Sequence, residues 1–126
     1  MDLITGGIYQ GKLEYAKKYY GLKEDDIFIC KDKEGIDFSK RCIAGTEDFV
    51  LSCIRTGRDS LACFKEHEDE WQDAVIIMRD IFCGVVPIDP EMRLWRDECG
   101  RLLTYLSGNA KTVTRLFCGI AQTIKE

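Results

Sequence analysis

Near its start the chain reads Gly6-Gly7-Ile8-Tyr9-Gln10-Gly11-Lys12, which meets the spacing G-x-x-x-x-G-K. Residues of these types at this spacing suit the binding of phosphate. Glycines let the backbone turn so that several N–H groups point inward at one anion. The first turn of a following helix adds partial positive charge. Lys12 would supply a full charge to the β- and γ-phosphates of a nucleoside triphosphate. The nucleotide-binding candidates are therefore Gly6, Gly7, Ile8, Tyr9, Gln10, Gly11, Lys12 and Leu13, with GTP or ATP as ligand. Position 13 is where such a loop carries Ser or Thr, whose hydroxyl binds Mg²⁺. Leu13 cannot ligate a metal. The plain alternative is a glycine turn between strand and helix, with Lys12 solvated.

Other side chains invite the same weighing. Asp80 closes an apolar run, where acidic residues hold Mg²⁺ in α/β nucleotide enzymes; a surface or helix-capping carboxylate is the competing reading. His67 is the one histidine. It is either a nucleophile, with Trp71 a helical turn away, or an exposed residue on a helix rich in carboxylates between Glu66 and Glu68. Arg96 and Arg101 have the charge to reach phosphate, but Asp97 and Glu98 offer nearer partners. Trp95 and Tyr105 read as core or subunit-contact residues. The cysteines at 30, 42, 53, 63, 83, 99 and 118 are odd in number and form no C-x-x-C pair. They fit buried free thiols better than a zinc site or a disulfide framework.

These residues need elements to hold them. Residues 2–5 read as a strand running into Gly6-Gly7, and 11–20 as a helix stopped by Gly21. A second short strand is expected at 26–30, then a polar loop from 31 to 40. A helix starts at Thr46 and ends at Gly57, and Ser60 caps the next helical segment, which runs to Trp71. Residues 74–78, Ala-Val-Ile-Ile-Met, form an unbroken apolar run typical of a central parallel strand. Asp89 and Pro90 are an N-cap and first residue for an amphipathic helix over 90–107. The runs 112–117 and 120–124, around Cys118-Gly119, read as a hairpin. The alternation predicts an α/β fold, a mostly parallel sheet with helices on both faces, with the strand at 74–78 beside the strand at 2–5.

The 126 residues suit one domain, here a single P-loop nucleotide-binding domain over 1–126. The net charge of −4, with basic and acidic residues interspersed, argues against nucleic acid as a partner. No signal-peptide pattern or membrane-spanning apolar run is visible, so a cytoplasmic protein away from membranes is expected.

Two segments resemble the adenosylcobinamide kinase / adenosylcobinamide-phosphate guanylyltransferase family of cobalamin biosynthesis. One is Leu3-Ile4-Thr5-Gly6-Gly7 through Gly11-Lys12, with Tyr15-Ala16 behind it. The other runs through Gly84-Val85-Val86-Pro87, Trp95-Arg96-Asp97-Glu98-Cys99-Gly100-Arg101-Leu102, Cys118-Gly119-Ile120 and Ile124-Lys125. The resemblance implies a P-loop fold, a homo-oligomer (a trimer), GTP or ATP with Mg²⁺, and two reactions. A kinase step moves a phosphoryl group to the hydroxyl of adenosylcobinamide, and a guanylyltransferase step moves GMP from GTP onto that phosphate through a histidine. Lys12 and Asp80 would be catalytic, Asp80 also holding the metal. Three departures stand out. Leu13 replaces the hydroxyl residue, no histidine follows the second strand, and Asp80 has neighbours unlike those of the family's acidic position. A relative that binds a nucleotide or corrinoid without guanylyl transfer, as an accessory or regulatory oligomer, is the second reading. In either case His67 is expected at the opposite edge of the sheet from Lys12.

Overall fold

Two short runs set the centre of the molecule. Leu3-Ile4 and Val75-Ile76-Ile77-Met78 are apolar on both sides of the strand, and both sides are covered. The computed structural model describes residues 1–7, 11–31, 35–81 and 89–126. In it, β1 (Asp2–Gly6) pairs in parallel with β4 (Val75–Arg79) on one side and with β5 (Thr112–Phe117) on the other. The sheet continues from β4 through β3 (Cys42–Ala44) to β2 (Ile27–Ile29), all parallel, and ends beyond β5 with the antiparallel β6 (Ile120–Lys125). The order is β2-β3-β4-β1-β5-β6. This is an α/β architecture on a mostly parallel sheet, six-stranded among the described residues.

Helices cover both faces. On one, α1 (Lys12–Tyr20) lays Ala16 and Leu13 over Ile4, Ala44, Ile77 and Leu116. On the other, α2 (Thr46–Thr56), α3 (Ser60–Glu66), α4 (Glu68–Trp71) and α5 (Pro90–Asn109) bury Phe49, Val50, Phe64, Trp71, Cys99, Leu102 and Leu106 against Leu3, Ile76, Met78 and Val113. The buried positions 99, 102 and 106 of α5 follow helical periodicity. Asp89 caps α5 by accepting the Glu91 N–H at 2.8 Å, and Pro90 occupies the first turn. Gly21 stops α1 and Gly57 stops α2, each in the left-handed conformation. Cys118 and Gly119, both at positive φ, make the tight turn between β5 and β6.

Three expectations need correction. Residues 42–44 form a strand, where no element was expected; three apolar residues carry no readable period, and only their pairing with β2 and β4 defines them. Asp59, not Ser60, caps α3, because its carboxylate accepts the N–H groups of Leu61 and Ala62 while Ser60 is already helical. The segment to Trp71 is two helices, α3 and α4, broken at His67. There the Trp71 indole N–H donates to the Phe64 carbonyl at 2.8 Å, anchoring the buried ring across the break. The Gly84-Val85-Val86-Pro87 stretch lies outside the described residues. Among the described residues no helix is long and apolar enough to cross a membrane.

Candidate functional site

β1 ends at Gly6, and its chain leaves through α1 on one face of the sheet. β4 ends beside it at Arg79, paired with Gly6, and α5 then packs on the other face. Adjacent parallel strands whose outgoing chains cover opposite faces leave a crevice at their C-terminal ends, the usual ligand position in open α/β sheets.

Gly6 is shaped by this crowding. At φ 148° it sits so close to β5 that a Cβ would lie 2.5 Å from the Leu116 carbonyl oxygen. Only glycine fits there. The Asp80 N–H donates to the Gly6 carbonyl at 2.7 Å, placing Asp80 at the same edge. One residue earlier, the Thr5 hydroxyl is buried with no hydrogen-bond partner among the described residues.

Gly11, at φ 76°, is the N-cap of α1, and no side chain among the described residues caps that helix. Lys12 follows, half-buried, its Nζ donating to the Gly7 carbonyl at 2.6 Å. Burial holds the Lys12 ammonium below the ordinary lysine range; Glu47 draws it back up and Arg79 pushes it down. Gly11, Lys12, Leu13 and Glu14 form one wall of a cleft of about 260 Å³, closed by Ile29, Ala44, Gly45 and Ile77 from the neighbouring strands. Ile29, Ala44 and Ile77 make its floor apolar, and the cleft is open to solvent.

Glu47 is the residue sequence reading missed. It had the look of an ordinary acidic first-turn residue of α2. Because the unforeseen β3 delivers α2 to the same edge, its carboxylate instead accepts the Arg79 N–H at 2.9 Å. The Glu47 carbonyl takes the Trp95 indole N–H at 2.8 Å, and the Arg79 guanidinium lies 5.6 Å from the Trp95 ring centre. Thr46 fixes the helix start, its hydroxyl donating to the Ile77 carbonyl at 3.1 Å. The available signal was an acidic pair, Glu47-Asp48, separated from the apolar run 42–44 by Gly45 and Thr46.

The structure thus brings Gly6, Gly7, Gly11, Lys12, Leu13 and Asp80 to one edge of the sheet, with Glu47 and Arg79. Ile8, Tyr9 and Gln10 lie outside the described residues. His67 is elsewhere. Its ring stacks on buried Phe38 at 4.5 Å between centres, and Nδ1 pairs with Glu70. Phe38 precedes β3 and His67 precedes β4, so this cluster belongs to the N-terminal ends of strands whose C-terminal ends carry the Lys12 cleft. Arg101 pairs with Glu98 at 2.8 Å. Tyr105 packs edge-on against Trp71, and its hydroxyl meets Glu68 at 3.3 Å.

A nucleotide would bring phosphate and, with it, a divalent metal. Phosphate fits: Lys12 offers charge and the start of α1 offers N–H donors. Among the described residues no three His, Cys, Asp or Glu gather to hold a metal. Mg²⁺ commonly takes one or two carboxylates, with phosphate oxygens and waters completing its shell, a pattern that Asp80 suits.

Fold and site together describe an α/β protein in which Lys12 and Arg79 share a crevice with Glu14, Glu47 and Asp80 at the C-terminal edge of a mostly parallel sheet. No protein-family model matches the chain, and no curated protein is similar to it at a significant level.

Proposed function

We propose that the chain binds a nucleoside triphosphate, GTP or ATP, at the C-terminal edge of its sheet and transfers the terminal phosphoryl group, as the adenosylcobinamide kinases it resembles do. The observation that carries this reading is Lys12, a half-buried ammonium beside the first helix turn and beside Glu47 and Arg79 at the end of the central strand. A cation kept short of water gains most when an anion arrives. In this scheme Lys12 neutralises the β- and γ-phosphates, and the N–H groups at the start of α1 orient them. Asp80 would hold Mg²⁺, which when bound would supply positive charge to offset that of the phosphates. Glu47 keeps Arg79 in place through the Arg79 N–H.

The guanylyl-transfer half of the family's chemistry needs an imidazole in line with the α-phosphate. His67 is stacked on Phe38 at the other end of the strands. That placement, with Leu13 at the hydroxyl position, favours the second reading in one respect. The chain either is a kinase alone or binds nucleotide or corrinoid as an accessory subunit without turnover.

The test uses GTP labelled at the α or γ position, with and without adenosylcobinamide. The kinase reading expects γ-label on the acceptor, no acid-labile α-label on denatured protein, and loss of transfer in Lys12→Ala. Binding that depends on Lys12 without transfer selects the accessory reading. Equal binding by wild type and Lys12→Ala removes both, and an α-label lost in His67→Ala restores the two-reaction enzyme.

A further inference from the structure

We infer that β6 is a self-association edge: two copies of this chain pair their β6 strands antiparallel about a two-fold axis, joining two sheets into one. Among the described residues β6 ends the sheet, and all six of its residues are exposed. Ile120 and Ile124 are 70% and 60% exposed, and Phe117, opposite Ile120 on β5, is 64% exposed. The other edge, β2, is three residues long. Proteins commonly blunt an edge strand by shortness, charge or proline. β2 uses shortness. The run Ile120-Ala121-Gln122-Thr123-Ile124 has neither charge nor proline. The lysine that ends β6 does not guard it either. Lys125 Nζ donates to the carbonyls of Ser107 and Gly108 at 3.0 and 3.2 Å, at the end of α5. An irregularity opposite Val113 and Thr114 makes Ile124 the extra residue, so the regular ladder available for pairing is Ile120–Thr123.

The occupant follows from that composition. Antiparallel pairing about a two-fold sets a strand against its own reverse, so a charged strand meets its own charges. The uncharged run 120–124 escapes this penalty. With the axis at or beside Gln122, the Ile120 end of one copy lies along the Thr123–Ile124 end of the other. The exposed isoleucines of the two copies, Ile120 and Ile124, then lie side by side across the new ladder. Such a contact uses the same patch on both copies and closes at two. It predicts a dimer, whereas the family resemblance implies a trimer.

Analytical ultracentrifugation of the full chain tests this. The expected mass is twice the chain's 14.4 kDa. Ile120→Lys with Ile124→Lys should halve it while leaving the circular-dichroism melt and any nucleotide binding unchanged, since both side chains are exposed. Should that variant not fold, a cysteine probe reads the same contact. In a Cys118→Ser background, Gln122→Cys should oxidise to a reducible covalent dimer, because opposed residues in an antiparallel pair lie within disulfide reach. A Glu66→Cys control on α3 should not. A wild-type monomer, a trimer, or a dimer that survives the lysine variant without a 122–122 crosslink overturns the proposal.

Discussion

Lys12 and His67 are the two side chains that the sequence offers most readily for phosphate chemistry, and they stand at opposite ends of the same parallel strands. At the Lys12 end, α1 and α5 follow β1 and β4 on opposite faces, no side chain among the described residues caps α1, and burial lowers the lysine pKa. At the His67 end, the ring is stacked on Phe38 and paired with Glu70. One group is held short of solvent beside an open cleft; the other has its contacts filled by its own neighbourhood. The lesson is that residue type nominates a group, but the direction of the strands decides whether it can face a ligand.

The largest expected effect comes from the glycine that ends β1 at the Lys12 end. Gly6→Ala forces a Cβ against the Leu116 carbonyl and should destabilise the fold by roughly 2–4 kcal/mol. Gly11→Ala meets no atom within 4 Å. It should cost about 1 kcal/mol, from the left-handed backbone alone. Urea unfolding of both variants checks the ratio, and similar costs would contradict the close approach of β1 and β5.

Next in size is the ligand test. Lys12→Ala should weaken nucleoside triphosphate binding at least tenfold, since charge-assisted contacts are worth about 1.5–3 kcal/mol. His67→Ala should leave affinity unchanged. Isothermal titration of the pair settles the contrast, and equal losses would erase it.

The lowered Lys12 pKa sharpens the comparison in pH. Between that value and 10.5 the unfolded chain binds the extra proton, so folding stability gains from this group as pH rises across the window. Phosphate prefers the protonated lysine, so affinity should fall as pH climbs through the same window. Lys12→Arg, always charged, should flatten the fall. A profile identical in the two proteins would remove Lys12 as the titrating group.

The smallest effect concerns thiols. Burial pushes Cys30 up to about 12 and Cys42 and Cys53 up to about 11, so they should resist iodoacetamide near neutral pH. Cys118, exposed in the β5–β6 turn, should react first among the described cysteines. Mass spectrometry of tryptic peptides reads the order.

Much of the fold was legible because its signals are local. The apolar run 74–78, the Asp89-Pro90 start, the Gly21 and Gly57 stops and the Cys118-Gly119 turn each act within a few residues. The expectation that buried free thiols explain the cysteines held for Cys30, Cys42, Cys53 and Cys99 and failed for Cys118. β3 was not legible. Three residues have no period, and Cys42, Ile43 and Ala44 become a strand only because β2 and β4 supply hydrogen-bonding edges on both sides. With β3 missing, the arrival of α2 at the crevice was hidden, and Glu47 with it.

The sequence by itself determined the glycine-lysine loop between a strand and a helix, the alternation of elements and the apolar stripes that bury them, since turn chemistry and periodicity depend on near neighbours. Tertiary structure decided which groups share an edge. It set Asp80 on the Gly6 carbonyl, Glu47 on the Arg79 N–H and His67 against Phe38. Those contacts join residues far apart in the chain, and pairing of distant parallel strands fixes them only once the whole sheet has formed.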